Sequence, residues 1–269
     1  MPKQTVNGIG IYYEVHGNGA PLVLIMGLRR NIEWWYKQLP DLSVHYQVII
    51  FDNRGGGRTD KPPGEYSIAQ FADDTAGLMH GLGLQHAHIL GISMGGYIAQ
   101  ELAIRYPKMV DSLILGCTSA GGASAVTMSA ERAEKFVDIQ GLTPEEILQK
   151  NMDIFFSDSF IRNNPEAVKI FAELSMRWYQ PAEAFIQQFN ACQKHDTVNR
   201  VHLIKAPTLI LSGDDDPLIP PQNSVILKEL MPHAHLKMFP TLRHCFFIED
   251  SERFNQTVLE FLESIKKKL

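Results

Sequence analysis

The sequence predicts a doubly wound, mostly parallel α/β sheet with a helical lid inserted into it. Three observations carry that prediction. Strand-like apolar runs alternate with helical periodicity from Pro21 to Gly116. The runs are apolar throughout, as in strands covered on both faces, where a half-solvated strand would alternate. The alternation lapses from about Thr118 to Arg200, then resumes at Thr208–Ser212.

Taken in order, Gln4–Val6 and Ile9–Val15 flank Asn7-Gly8, the signature of a β-hairpin. Pro21–Met26 is a buried strand and Gly27–Arg30 a loop. Glu33–Leu39 reads as a helix carrying Trp34 and Trp35, and Gln47–Phe51 as the next strand. Asp52–Pro63 is a Gly- and Pro-rich loop. Ser67–Leu82 opens with a capping-box pattern, Ser67 and Gln70. Strands Ala87–Leu90 and Ser112–Gly116 bracket a helix at Met94–Arg105. The interruption offers helices at Met128–Asp138, Pro144–Phe156, Pro165–Tyr179 and Pro181–Lys194. Thr143-Pro144 and Asn164-Pro165 mark two starts as N-cap followed by proline. After Thr208–Ser212 come a loop at Gly213–Pro221, a helix at Gln222–Met231, a strand at Leu236–Phe239 and a helix at Ser251–Lys267. The strands number eight, with the lid between the sixth and seventh. The core is expected over residues 1–117 and 201–269, and the lid over residues 118–200.

The chain has 269 residues, enough for one large domain with an insertion. Its formal charge of −5 is modest and spread out. That leaves no basic footprint for nucleic acid or for an anionic membrane. The cluster Lys266–Lys268 ends a helix, where cations suit the dipole. Cys117, Cys192 and Cys245 are odd in number and form no C-x-x-C, so buried free thiols are expected. No apolar segment follows the N-terminus, and Leu22–Met26 is far too short to span a bilayer. These features point to a soluble cytoplasmic protein.

The chemistry centres on His88–Tyr97, which contains Gly91-Ile92-Ser93-Met94-Gly95. This G-x-S-x-G sits between a buried strand and a helix, the setting in which a serine is presented on a strained turn. An ordinary Gly-rich turn is the bland alternative, and a base and an acid in suitable order weigh against it. A serine nucleophile needs a base, and the base needs an orienting carboxylate. Of the ten histidines, His244 alone lies in the loop between the last strand and the last helix. The acid is Asp214, Asp215 or Asp216, with Asp216 preferred because Pro217 restricts its backbone to extended conformations. The pair His233-x-His235 lacks a third metal ligand, and Gly55–Gly57 lacks the Lys-Ser/Thr of a phosphate loop. No metal or cofactor is expected.

With these motifs in hand, the chain resembles the α/β-hydrolase superfamily along nearly its whole length. The matching pieces are Met26-Gly27-Leu28, Asp52–Thr59, Gly91–Gly96, Gly213–Pro217 and Arg243-His244-Cys245. It looks most like small lidded carboxylesterases and 3-oxoadipate enol-lactone hydrolases. The resemblance implies Ser93 as nucleophile, Asp216 as acid and His244 as base. It also implies an oxyanion hole made by the backbone N–H groups of Leu28 and Met94. Many relatives have His-Gly where this chain has Met26-Gly27, and that histidine helps to hold the oxyanion loop. The implied activity is hydrolysis of small, largely apolar esters through an acyl-enzyme. Enol-lactone hydrolysis, C–C bond hydrolysis and perhydrolysis use the same three residues. A rival of another class is a ligand-binding signalling module with weak turnover. Among the lid and loop aromatics, Trp34, Trp178, Phe185 and Phe189 are the candidates for the substrate pocket.

Overall fold

The computed structural model describes residues 3–137, 140–178 and 180–266. Its sheet has eight strands: β1 Lys3–Val6, β2 Ile9–His16, β3 Pro21–Ile25, β4 Gln47–Phe51, β5 Ala87–Ile92, β6 Val110–Gly116, β7 Thr208–Gly213 and β8 His235–Phe239. Their spatial order is β1-β2-β4-β3-β5-β6-β7-β8. The β1–β2 and β2–β4 pairs are antiparallel and all other pairs parallel.

Strand β3 shows why the runs are apolar throughout. Leu22 and Leu24 enter one core cluster, and Val23 and Ile25 enter the other. Strand β4 splits in the same way, Val48 and Ile50 against Ile49 and Phe51. Period-two side chains thus feed two cores, one on each face. The first core takes Phe71 and Met79 of α2 (Ile68–Gly81), Ile98 and Leu102 of α3 (Met94–Arg105), and Leu227 of α10, which spans Gln222–Leu230. The second takes Trp35, Leu42 from the one-turn helix α1 (Leu39–Leu42), Phe246 of α11 (Phe246–Glu249), and Phe254 and Val258 of α12, Ser251–Lys266.

Between β6 and β7 lie α4 Ala130–Val137, α5 Pro144–Lys150, α6 Met152–Phe155, α7 Asp158–Asn163, α8 Pro165–Arg177 and α9 Ala182–Gln193. These helices are bound to loops that follow the carboxyl ends of the strands. Gln188 of α9 donates to Arg54 O and accepts from Arg29 N. Arg243 donates to the carbonyls of Asp153 and Phe156. Phe156 and Phe171 are both buried in the second core.

Local chemistry changes several expected boundaries. The expected helix Glu33–Leu39 is instead a 3-10 turn, Ile32–Trp35, followed by α1. Pro40 carries no N–H to continue the ladder onto Tyr36, and it sits in the first turn of α1, so the helix starts afresh there. The expected helix Pro144–Phe156 ends at Asn151, whose backbone N–H and side chain both donate to Ile147 O, and a new helix starts at Met152. Helix α7, unforeseen, is capped by Ser157, whose hydroxyl accepts from Phe160 N. The Thr143–Glu146 capping box forms in full. Asn164 makes no cap bond and donates instead to Phe160 O. The expected helix ends at Asp138, Tyr179 and Lys267, and Lys268 of the basic cluster, lie outside the described residues.

Arg54 and Asp74 form a two-bond ion pair, 2.7 and 2.8 Å, with both side chains buried. Removing one partner strands the other charge. Arg54→Met is expected to cost about 3–5 kcal/mol of unfolding free energy. Urea titration of the variant measures it, and a loss below about 1 kcal/mol would show that the stranded Asp74 finds solvent.

Candidate active site

Ser93 stands between β5 and α3 at φ 56°, ψ −120°. A serine rarely adopts this backbone, and tight packing holds it there. A side chain at Gly91 would overlap the Gly95 carbonyl, and one at Gly95 would overlap the Ile25 carbonyl. The strand and helix therefore approach as closely as backbone allows. The Ser93 N–H donates to Gly116 O at 2.9 Å, and Thr118 Oγ1 donates to Ser93 O at 2.9 Å. Ser93 Oγ itself makes no hydrogen bond among the described residues. Bonds of this kind often tighten only when substrate is in place.

Gly27 packs against the serine from the β3 side; a Cβ there would lie 3.1 Å from Ser93 Cβ and 3.6 Å from Oγ. The next residue is Leu28. Among the described residues, neither the Leu28 N–H nor the Met94 N–H has a hydrogen-bond acceptor. Two orphan donors thus flank the elbow, one of them at a helix N-terminus where negative charge is favoured. The loop carrying Leu28 is held without the histidine that many relatives have. Asn53 Nδ2 donates to Met26 O at 2.8 Å, and the buried Asp52 carboxylate accepts from Ile32 N at 2.8 Å. Arg30 N closes a turn onto Gly27 O, and Arg29 sits at φ 63°.

The three aspartates separate cleanly. Asp214 caps Thr241 N, and Asp215 pairs with Arg243 at 3.0 Å; both are exposed. Asp216 is buried, and its Oδ2 lies 2.7 Å from His244 Nδ1. Its Oδ1 accepts from the N–H groups of Leu218 and Ile219, at 2.8 and 3.0 Å. The carboxylate is thus fully hydrogen-bonded, as a buried charge must be. His244 is also buried, with Phe155 edge-on at 6.5 Å. Cys117, at φ 38°, lies behind the pair. One ligand atom each from Cys117, Asp216 and His244 falls within 4.8 Å of the others. Burial, with Asp216 nearby, pushes the Cys117 thiol well above its usual range. A neutral thiol beside an imidazole and carboxylate already engaged with each other is a poor metal ligand set. All three cysteines are free; Cys192, unlike the other two, is partly exposed.

The four pocket candidates occupy different positions. Trp34 is fully buried, edge-on to Phe171 at 4.7 Å. Trp178 donates Nε1 to Glu33 at 2.8 Å and lies under Arg58. Phe185 stacks on Phe189, which is exposed, and faces Arg29 at 6.0 Å. Sequence reasoning did not single out Asn53 or Arg30. Asn53 lies two residues past the end of β4 and so meets the neighbouring end of β3, a signal that strand order would have supplied.

A family model described as the alpha/beta hydrolase fold matches residues 20–251. The chain belongs to that family. A protein of Azorhizobium caulinodans that bears the name carbamate hydrolase RutD is 26% identical, over 98% of this chain and 99% of its own. The 3-oxoadipate enol-lactonase 2 of Acinetobacter baylyi is 30% identical, over 94% and 93%. The crystal structure of the enol-lactonase from Burkholderia xenovorans LB400 superposes with a TM-score of 0.86 at 25% identity, over 97% and 100%.

Among the other histidines, His195 is buried and stacked on Tyr97 at 4.2 Å, with both ring nitrogens unpartnered among the described residues. Burial, reinforced by Arg200, pulls its pKa from 6.5 down to about 3. The fold therefore holds this ring neutral. At pH above 6.5 that costs nothing. As pH falls from 6.5 toward 3, the unfolded chain takes up a proton that the folded chain refuses, and stability drops. The expected contribution is up to about 1.4 kcal/mol per pH unit between pH 6 and 4. His195→Phe should flatten the slope of unfolding free energy against pH by about one proton. An unchanged slope would show that the ring is protonated within the fold.

Proposed function

We propose that the chain is a serine hydrolase of carboxylic esters, with Ser93 as nucleophile, His244 as general base and Asp216 as the group that orients the base. What supports the reading most is the buried Asp216–His244 hydrogen bond, on the same sheet edge as a serine held at positive φ. Asp216 fixes His244 Nδ1 as the protonated nitrogen and leaves Nε2 for the serine. His244 takes the Ser93 proton as Oγ attacks the ester carbonyl. The Leu28 and Met94 N–H groups receive the oxyanion, and neither has another acceptor to give up among the described residues. His244 returns the proton to the leaving alcohol. It then activates the water that cleaves the acyl-enzyme. The chemistry needs no cofactor.

Residues 118–200 form the lid of this reading, and Trp178, Phe185 and Phe189 contribute its apolar wall. A small ester fits such a wall. A lactone is a cyclic ester and would follow the same steps; two relatives carry enol-lactonase names. The three free thiols suit a reducing, cytoplasmic setting. No helix among the described residues is long and apolar enough to cross a membrane.

Steady-state hydrolysis of p-nitrophenyl butyrate tests the assignment. Ser93→Ala should lower kcat by a factor on the order of 10⁶. Asp216→Asn, which presents the wrong partner to Nδ1, should lower it by a factor on the order of 10⁴. Retention of more than about a hundredth of the activity by Ser93→Ala would overturn the nucleophile.

A further inference from the structure

The buried face of α9 is Ala184, Gln188 and Ala191, spaced as one side of a helix. Two small residues let the helix approach closely, and between them stands a long polar side chain, 1% exposed. A glutamine buried in this way is costly unless its amide is hydrogen-bonded. Both ends are. Oε1 accepts from Arg29 N at 3.1 Å, and Nε2 donates to Arg54 O at 2.7 Å. One side chain of the insertion thus bridges the loop after β3 to the loop after β4.

The Arg29 bond falls on a strained turn. Arg30 N donates to Gly27 O at 3.2 Å and closes the turn Gly27–Arg30. Arg29, its third residue, sits at φ 63°, whereas Leu28, its second, is not among the residues of positive φ. This is the pattern of a type II turn, which ordinarily takes Gly or Asn in the third place. An arginine stays in the left-handed region only where its surroundings over-determine it. Its own side chain is exposed and does not supply that constraint. Asn53 and Asp52 hold the loop at its ends, Met26 O and Ile32 N. Within the turn, Gln188 is the one side chain that bonds the backbone among the described residues. It also leaves Leu28 as the one residue of Leu28–Arg30 whose N–H has no acceptor among the described residues. Without Gln188 the Leu28–Arg29 peptide is free to rotate toward a type I turn, in which residue 29 regains negative φ. The closing bond from Arg30 N survives that rotation. Leu28 is the residue whose ψ absorbs it, so the aim of its N–H is no longer fixed.

We propose that Gln188 is a positioning residue of the oxyanion hole: through Arg29 it holds the turn that presents the Leu28 N–H. The proposal rests on the reading of Leu28 and Met94 as donors to an oxyanion formed at Ser93. Gln188 acts from behind the loop, so its effect falls on the transition state and spares substrate binding.

The test uses the full chain, with p-nitrophenyl butyrate as substrate and butylboronic acid as a mimic of the tetrahedral intermediate. Gln188→Met keeps the length of the side chain and removes both bonds. It should lower kcat about 10- to 100-fold, less than the loss of a whole oxyanion donor, and leave KM within about threefold. Affinity for butylboronic acid should fall by the same factor as kcat, because both report the transition-state geometry. A residue that only packed the insertion onto the core would leave that affinity unchanged. A second arm uses glycine, which enters the left-handed region without strain. In an Arg29→Gly background, Gln188→Met should cost at least about threefold less in kcat than it does in wild type. Should Gln188→Met fail to fold, Gln188→Asn, which stays polar but withdraws the amide by one methylene, takes its place in both arms. An unchanged kcat, or an equal loss in the two backgrounds, would overturn the role of Gln188 and leave the hydrolase standing. Absence of both ester turnover and boronic acid binding in wild type would overturn the hydrolase, and the oxyanion role of Gln188 with it.

Discussion

Everything at the site depends on how closely β5 and α3 approach one another. Gly91 and Gly95 remove the side chains that would hold strand and helix apart, and Gly95 presses on the Ile25 carbonyl. Ser93 then has to span the gap at positive φ. A non-glycine residue in that region costs on the order of 1–3 kcal/mol, and only surrounding packing retains it. That packing is extensive: β5 is buried along its whole length, and α3 is buried on nearly every side. The sheet thus supplies the energy that keeps one hydroxyl raised above its edge.

The loops around the serine are fixed by polar groups because they lack a ladder. Asp52 and Asn53 leave β4 and bind the backbone of the loop leaving β3. Asp216 leaves β7, accepts two N–H groups from its own turn and faces the histidine that follows β8. Parallel strands bring all these loops to one edge, so short side chains suffice to join them. Position 26, where the resemblance implies a histidine in many relatives, carries a methionine buried in the second core. Asn53 grips the carbonyl of Met26, so the loop is held there by a backbone bond as well as by side-chain packing.

The central strands were legible because strands buried on both faces must be apolar at every position, which shows as an unbroken apolar run. The elbow was legible because the glycines are demanded by backbone contact. Asp216 was separable from Asp214 and Asp215 because proline at 217 restricts the preceding residue, and the neighbouring acids find Thr241 and Arg243. The inserted helices were legible in number only roughly. One of them ends at Asn151, and Ser157 caps the start of another, both local choices that helical periodicity overlooks. Arg30 was not legible at all. Two of the three rings around its guanidinium, Phe155 and Phe171, come from the insertion, and no spacing encodes that.

The inserted helices are bound to the site at more than one place. Arg243, beside the histidine, donates to the carbonyls of Asp153 and Phe156 and pairs with Asp158. Glu249 accepts from the Ser157 hydroxyl and from the N–H groups of Ser157 and Arg243. At the other end, Gln188 binds both Arg29 N and Arg54 O. Several of these are charge-assisted bonds, each stronger than a neutral one. A rigid swing of the whole insertion would break them together and would disturb the loops carrying His244 and Leu28 in the same movement. The insertion therefore belongs to the wall that holds those two loops in register, and the chemistry proposed for Ser93 would depend on it as much as on the sheet beneath.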